Sequence, residues 1–149
     1  MKRKIFSALT IIILVVSLCS CAKKFTPEIK LNPENITSID FKKTYFNEDN
    51  TRTHKQKSVT EQADIKALAD WLSGLRLTEH PAIEIPAEKI TYVLMINGKK
   101  THTVIFMDEY IIYDYTAYTF NNNSDLSAVE TKYNLLGYTE VEAGLDLVK

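Results

Sequence analysis

Apolar and polar residues alternate over residues 36–46, with Ile39, Phe41 and Tyr45 on one side and Asp40, Lys42 and Thr44 on the other. A period of two marks a strand with one buried face. Residues 47–50, Asn-Glu-Asp-Asn, have turn chemistry. Residues 51–59 read as a second strand that is polar on both faces, which suits a sheet edge, where lysines discourage pairing with other chains. The period then changes. Ile65, Leu68, Ala69, Leu72 and Leu75 recur at three- and four-residue spacing and predict an amphipathic helix over 61–73. Thr60 is its expected N-cap and Gly74 its stop. Trp71 flanks the apolar stripe.

A loop over 79–87, with Pro81 and Pro86, leads to three strands. The first covers 90–96. Asn97-Gly98 reads as a two-residue hairpin turn, because both central residues of the favoured turn need positive φ. The second strand covers 99–107, Asp108-Glu109 makes the next turn, and the third covers 110–120. Ser124 is the expected cap of a short second helix over 125–133. The tail is irregular, or weakly strand-like over 137–141. The order β-β-α-β-β-β-α gives an α+β class: an antiparallel sheet of about five strands with one long helix packed on one face.

The chain opens differently. Lys2, Arg3 and Lys4 precede an apolar run over 5–18. That run is shorter than the roughly 20 residues of a membrane-spanning helix. A basic start and a short apolar run have the layout of a secretory signal peptide. The run ends in Leu18-Cys19-Ser20-Cys21. These four residues resemble the lipobox of bacterial lipoproteins. The resemblance implies a diacylglycerol on Cys21, cleavage just before it, and a lipid-anchored protein on the extracytoplasmic face of the cell membrane. A Cys-x-Cys metal clip would need further ligands nearby, and a redox pair usually has two residues between its thiols. Residues 1–20 are then the leader, 21–35 a lipidated flexible tether, and 36–149 a single domain.

Removal of the leader changes the charge. It holds three basic residues and no acidic ones, leaving 15 basic against 19 acidic residues and a net charge of −4 with His neutral. That balance argues against a nucleic-acid partner, which needs a basic footprint. The only thiol left would be the lipidated one, so the domain is expected to hold by its core without a disulfide. Beyond the leader, "VTEQADIKALADWLSGLRL" and "YVLMINGKKTHTVIFMDEYIIYDY" resemble small lipoproteins of low-GC Gram-positive bacteria, a likeness that implies no activity.

Candidate chemistry is sparse. His54, His80 and His102 show no metal-ligand spacing, and there is no Gly-x-Ser-x-Gly and no glycine-rich phosphate loop. Asp108-Glu109 reads as a turn, and Glu140 with Glu142 as an exposed tail. No catalytic residue, metal site or cofactor is predicted. The stretch "YIIYDYTAYTF" over 110–120 carries four tyrosines. It is either a strand buried on both sides or a tyrosine-rich contact surface, with Tyr113 and Tyr115 as the candidate binding face. The leading expectation is a non-catalytic, membrane-tethered binding module for an envelope protein or small ligand. The alternatives are a cell-envelope hydrolase using His54, His102 or Asp114, or an inhibitor or immunity lipoprotein.

Overall fold

The computed structural model describes residues 29–49, 51–81, 83–84, 87–120 and 126–144. The leader, Cys21, residues 22–28 of the tether and the Ser124 cap lie outside them. The fold is α+β. The elements run β1 (Ile36–Phe46), β2 (Arg52–Val59), α1 (Gln62–Ser73), β3 (Leu77–Glu79), β4 (Tyr92–Gly98), β5 (His102–Phe106), β6 (Tyr110–Tyr113), β7 (Thr116–Phe120), α2 (Leu126–Leu135) and β8 (Val141–Glu142). They form one antiparallel sheet in the order β3-β7-β6-β5-β4-β1-β2-β8.

The sheet thus has eight strands where about five were expected. The stretch 110–120 is a hairpin, β6 and β7, and the short strands β3 and β8 add one member to each edge. β8 pairs with β2 at Lys55 and Gln56, so β2 is not the outermost strand. The helix read as long has 12 residues. Its N-cap is Glu61, not Thr60, and no side chain of the cap residue bonds back. The Tyr138 hydroxyl serves that end instead. It accepts from the Glu61 N–H at 3.1 Å and donates to Asp64 Oδ2 at 2.8 Å.

Rows of cross-strand partners separate the two faces. Tyr92, Phe106, Ile111 and Tyr118 form one row, and Leu94 with Val104 belongs to the next on the same side. Both helices join this side: Ile65, Leu68, Ala69 and Leu72 from α1, and Val129 and Tyr133 from α2, share its core. Ile29 and Leu31, in the stretch read as tether, pack into this core as well. Val93, Ile105, Ile112 and Ala117 form the row on the opposite side, in a smaller cluster with Ile90, Met107 and Ile83. The β4–β7 meander is therefore buried on both sides, which explains its nearly continuous apolar sequence. Its neighbour β1 alternates, with Ile39 and Phe41 inward on the helix side and Asp40 on the other.

Asn97-Gly98 does not turn. Both residues stay on β4, paired with Ser38 and Ile36, and no glycine has positive φ. The chain reverses over 99–101. Gly98 is needed for a different reason: a Cβ there would stand 2.0 Å from the Asn35 carbonyl oxygen. The register of β1 on β4 shifts between Ile36 and Ser38. This bulge turns Ile36 toward the helix-side core, although Ser38 and Asp40 face the other way.

Candidate functional site

The positive-φ turn expected at Asn97-Gly98 lies instead between β6 and β7. Tyr113 pairs with Thr116, and the two residues between them, Asp114 and Tyr115, have φ of 44° and 73°. Two successive positive values are those of a type I′ turn, which matches the twist of a two-residue hairpin. Aspartate tolerates that region, since its short polar side chain bonds locally. Tyrosine does not share that advantage, and the left-handed region costs an L-residue about 1–2 kcal/mol. Tyr115 is nevertheless 82% exposed. Tyr113 is half-buried at the rim of the helix-side core. The two residues proposed as one binding face are thus neighbours at a hairpin tip, one seated and one projecting.

Behind the tip lies a hydrogen-bonded group. Asp114 Oδ1 accepts from the Thr103 N–H at 2.9 Å, and the Asp114 N–H donates to the Thr103 carbonyl at 3.1 Å. Asp114 Oδ2 accepts from His102 Nδ1 at 2.5 Å. The His102 ring stacks on Tyr113, with centroids 5.7 Å apart and planes at 24°, and the Tyr113 hydroxyl stands 3.2 Å from Nδ1. Burial, then the Asp114 charge, pushes the Tyr113 hydroxyl pKa up, so it stays neutral. A carboxylate on Nδ1 orients the ring and leaves Nε2 as the nitrogen available to a ligand.

His102 also lines a cleft of about 300 Å³ with Lys30, Asn32, Asn35, Lys99 and Lys100. Its walls are tied together. The Lys99 N–H donates to the Asn35 carbonyl at 3.1 Å, and Gly98 brings the β4 backbone against the same residue. Sequence reasoning passed over these lysines, because only the β1–β4 pairing brings Lys30 beside the Lys99-Lys100 loop. Adjacent lysines at a turn were the one visible signal.

The other expected positions are scattered. His54 lies on the far side of the sheet from His102, where its Nδ1 is 3.1 Å from Thr44 Oγ1. Burial, then Arg52 and Lys42, lowers its pKa. The His80 ring packs edge-on against Tyr110 at 5.0 Å. Asp108 and Glu109 make the β5–β6 turn and line a second cleft of about 190 Å³ with Ile83, Glu84 and Lys89. Glu140, read as an exposed tail residue, is engaged: Tyr45 donates to it at 3.0 Å and Lys55 lies 3.6 Å away. Burial alone would raise its pKa, but the tyrosines and lysines around it outweigh that and hold it below the usual carboxylate value. Among the described residues, no three His, Cys, Asp or Glu side chains gather as a metal site. No helix among them is long and apolar enough to cross a membrane.

The chain matches no protein-family model, no curated protein and no solved structure.

Proposed function

We propose that this protein is a lipoprotein, anchored through Cys21 on the outer face of the cell membrane, that binds an envelope partner through the β6–β7 tip. The lipobox-like Leu18-Cys19-Ser20-Cys21 supports the address. One observation carries the binding reading: Tyr115 is held at φ 73° and 82% exposed. Folding gains nothing from a solvated tyrosine in a region that favours glycine. Strain of this kind collects at sites of recognition, and tyrosine is enriched at interfaces.

Tyr115→Gly tests it, because glycine suits the turn and leaves Asp114 in place. Crosslinking in intact cells should capture a stoichiometric envelope partner with the native chain and lose it with Tyr115→Gly. Equal capture by both, with the variant folded, overturns the reading. Capture that needs Tyr115 but survives Cys21→Ala refutes only the need for the anchor.

The His102–Asp114 pair favours a second reading, a hydrolase of cell-wall polymer with Nε2 as general base. It joins two of the three residues expected in such a site, though His54 is not with them. Release of soluble fragments from purified cell wall, abolished by His102→Gln, would establish it. Equal fragment release by the His102→Gln chain would remove it.

A further inference from the structure

We propose that the cleft beside His102 is an anion site that takes a phosphate group. Its polar lining is one-sided. Lys30, Lys99 and Lys100 bring three ammonium groups, Asn32 and Asn35 bring amides, and no carboxylate lines the cleft among the described residues. This stands against the net charge of −4 left once the leader is set aside. Asn32 spends its carbonyl oxygen on the Glu34 N–H at 3.1 Å, which leaves its amide nitrogen as a donor. His102 spends Nδ1 on Asp114 and keeps Nε2, a donor when the ring is protonated. Asp114 is not among the lining residues and turns its carboxylate to His102 Nδ1 and the Thr103 N–H, so the three lysines have its one charge to outweigh. An excess of cations and donors is what a tetrahedral oxyanion requires. A volume of about 300 Å³ admits a phosphate with a small substituent.

The phosphate has two possible sources, a soluble phosphate or a lipid headgroup. The second rests on the anchored reading above. Cys21 and Lys30 are nine residues apart, so an extended chain holds this end within roughly 30 Å of the lipid attachment. Anionic headgroups are then within reach of the cleft.

The test uses the full chain in phosphatidylcholine nanodiscs, with NMR signals of the His102 ring and the Lys99 and Lys100 amides as reporters. Inorganic phosphate is titrated in, with chloride at matched ionic strength as the control. Saturable shifts with phosphate and none with chloride are expected. A Lys99→Gln, Lys100→Gln chain should bind at least roughly tenfold more weakly, since both changes remove a cation without touching the core. In phosphatidylglycerol nanodiscs without added phosphate, the same shifts identify the headgroup as the source, and their absence identifies soluble phosphate. Equal shifts with chloride, or no response to either phosphate or phosphatidylglycerol, overturn the site. Partner capture through Tyr115 is read separately, so either proposal can fail while the other stands.

Discussion

At the scale of single residues, strain and its repayment meet at the β6–β7 tip. Asp114 repays its own conformation through hydrogen bonds to Thr103 and His102. Tyr115 appears in no comparable bond and is exposed. Tyr115→Gly should therefore stabilise the fold by about 0.5–1 kcal/mol, the relief of left-handed strain less the extra freedom glycine has when unfolded. Chemical denaturation of the two chains measures this, and a loss of stability would mean that the Tyr115 ring does structural work. Asp114→Ala should act oppositely. It removes two acceptors from a half-buried network, at a cost of about 1–3 kcal/mol, and it frees the His102 ring, whose carbon-bound proton signals would broaden. A sharp, unshifted imidazole signal in that variant would show that stacking on Tyr113 alone fixes the ring.

At the scale of elements, what could be read in the sequence was whatever depends on period. The alternation in β1, the three-and-four spacing of α1 and the apolar meander each specify their own geometry. Features that depend on a distant partner were not legible. Asn97-Gly98 has the composition of a hairpin turn, but β1 lies alongside and keeps both residues in the ladder. Asp114-Tyr115 lacks a glycine and so looked like continuous strand, although it is the turn. The candidate site suffered similarly: His102 and Asp114 were each visible, but their meeting follows from a register that no local pattern states. Gly98→Ala tests the point. Its Cβ would meet backbone atoms that cannot rotate away, so the substitution should cost about 1–3 kcal/mol as an overpacked contact. A near-neutral result by denaturant titration would show that the bulged start of β1 yields. Lys57 gives a second case. It is buried, and its Nζ donates to the carbonyls of Tyr133 at 3.0 Å and Leu136 at 2.7 Å, at the end of α2. A cation is favoured there by the helix dipole, and it lies 4.8 Å from the Tyr133 ring centroid. Lys57→Met keeps the apolar stem but strands those carbonyls, and should cost about 1.5–3 kcal/mol. Amide exchange confined to a faster α2 would confirm that the cap acts on that helix.

At the scale of the whole molecule, the first hairpin holds the last part of the chain. Lys43 pairs with Glu130 at 2.6 Å, Lys42 donates to the Gly144 carbonyl at 3.0 Å, and Tyr45 and Lys55 grip Glu140. The Tyr133 hydroxyl is buried, has no hydrogen-bond partner of its own, and faces the Glu140 carboxylate. These contacts tie the first hairpin to residues 130–144, and their ionisation sets how stability follows pH. Glu140 is held below its ordinary value of 4.5. A carboxylate with a lowered folded pKa contributes stability that is complete above the unfolded value and is lost as pH falls through the folded one. Lys43 moves the other way. Burial would lower it, but Glu130 and the rings of Tyr92 and Tyr45 raise it above 10.5. Its contribution is complete below 10.5 and is lost as pH rises through the folded value. Tyr45 and Tyr92, raised chiefly by burial, add to the same alkaline loss. Stability should thus hold a plateau between about pH 6.5 and pH 10 and fall on both sides, the acid loss beginning at His54, whose pKa is lowered in the fold from 6.5, and continuing at Glu140. Glu140→Gln should be less stable than the native chain at pH 7, and that gap should narrow as pH falls below 4.5 and close once the pH is below the lowered folded pKa, where both side chains are neutral. Denaturant titrations of the two chains at pH 7 and pH 3 decide the matter. A gap undiminished at pH 3 would place the role of Glu140 in packing, and the tail would then be held by Lys42 and Tyr138 rather than by charge.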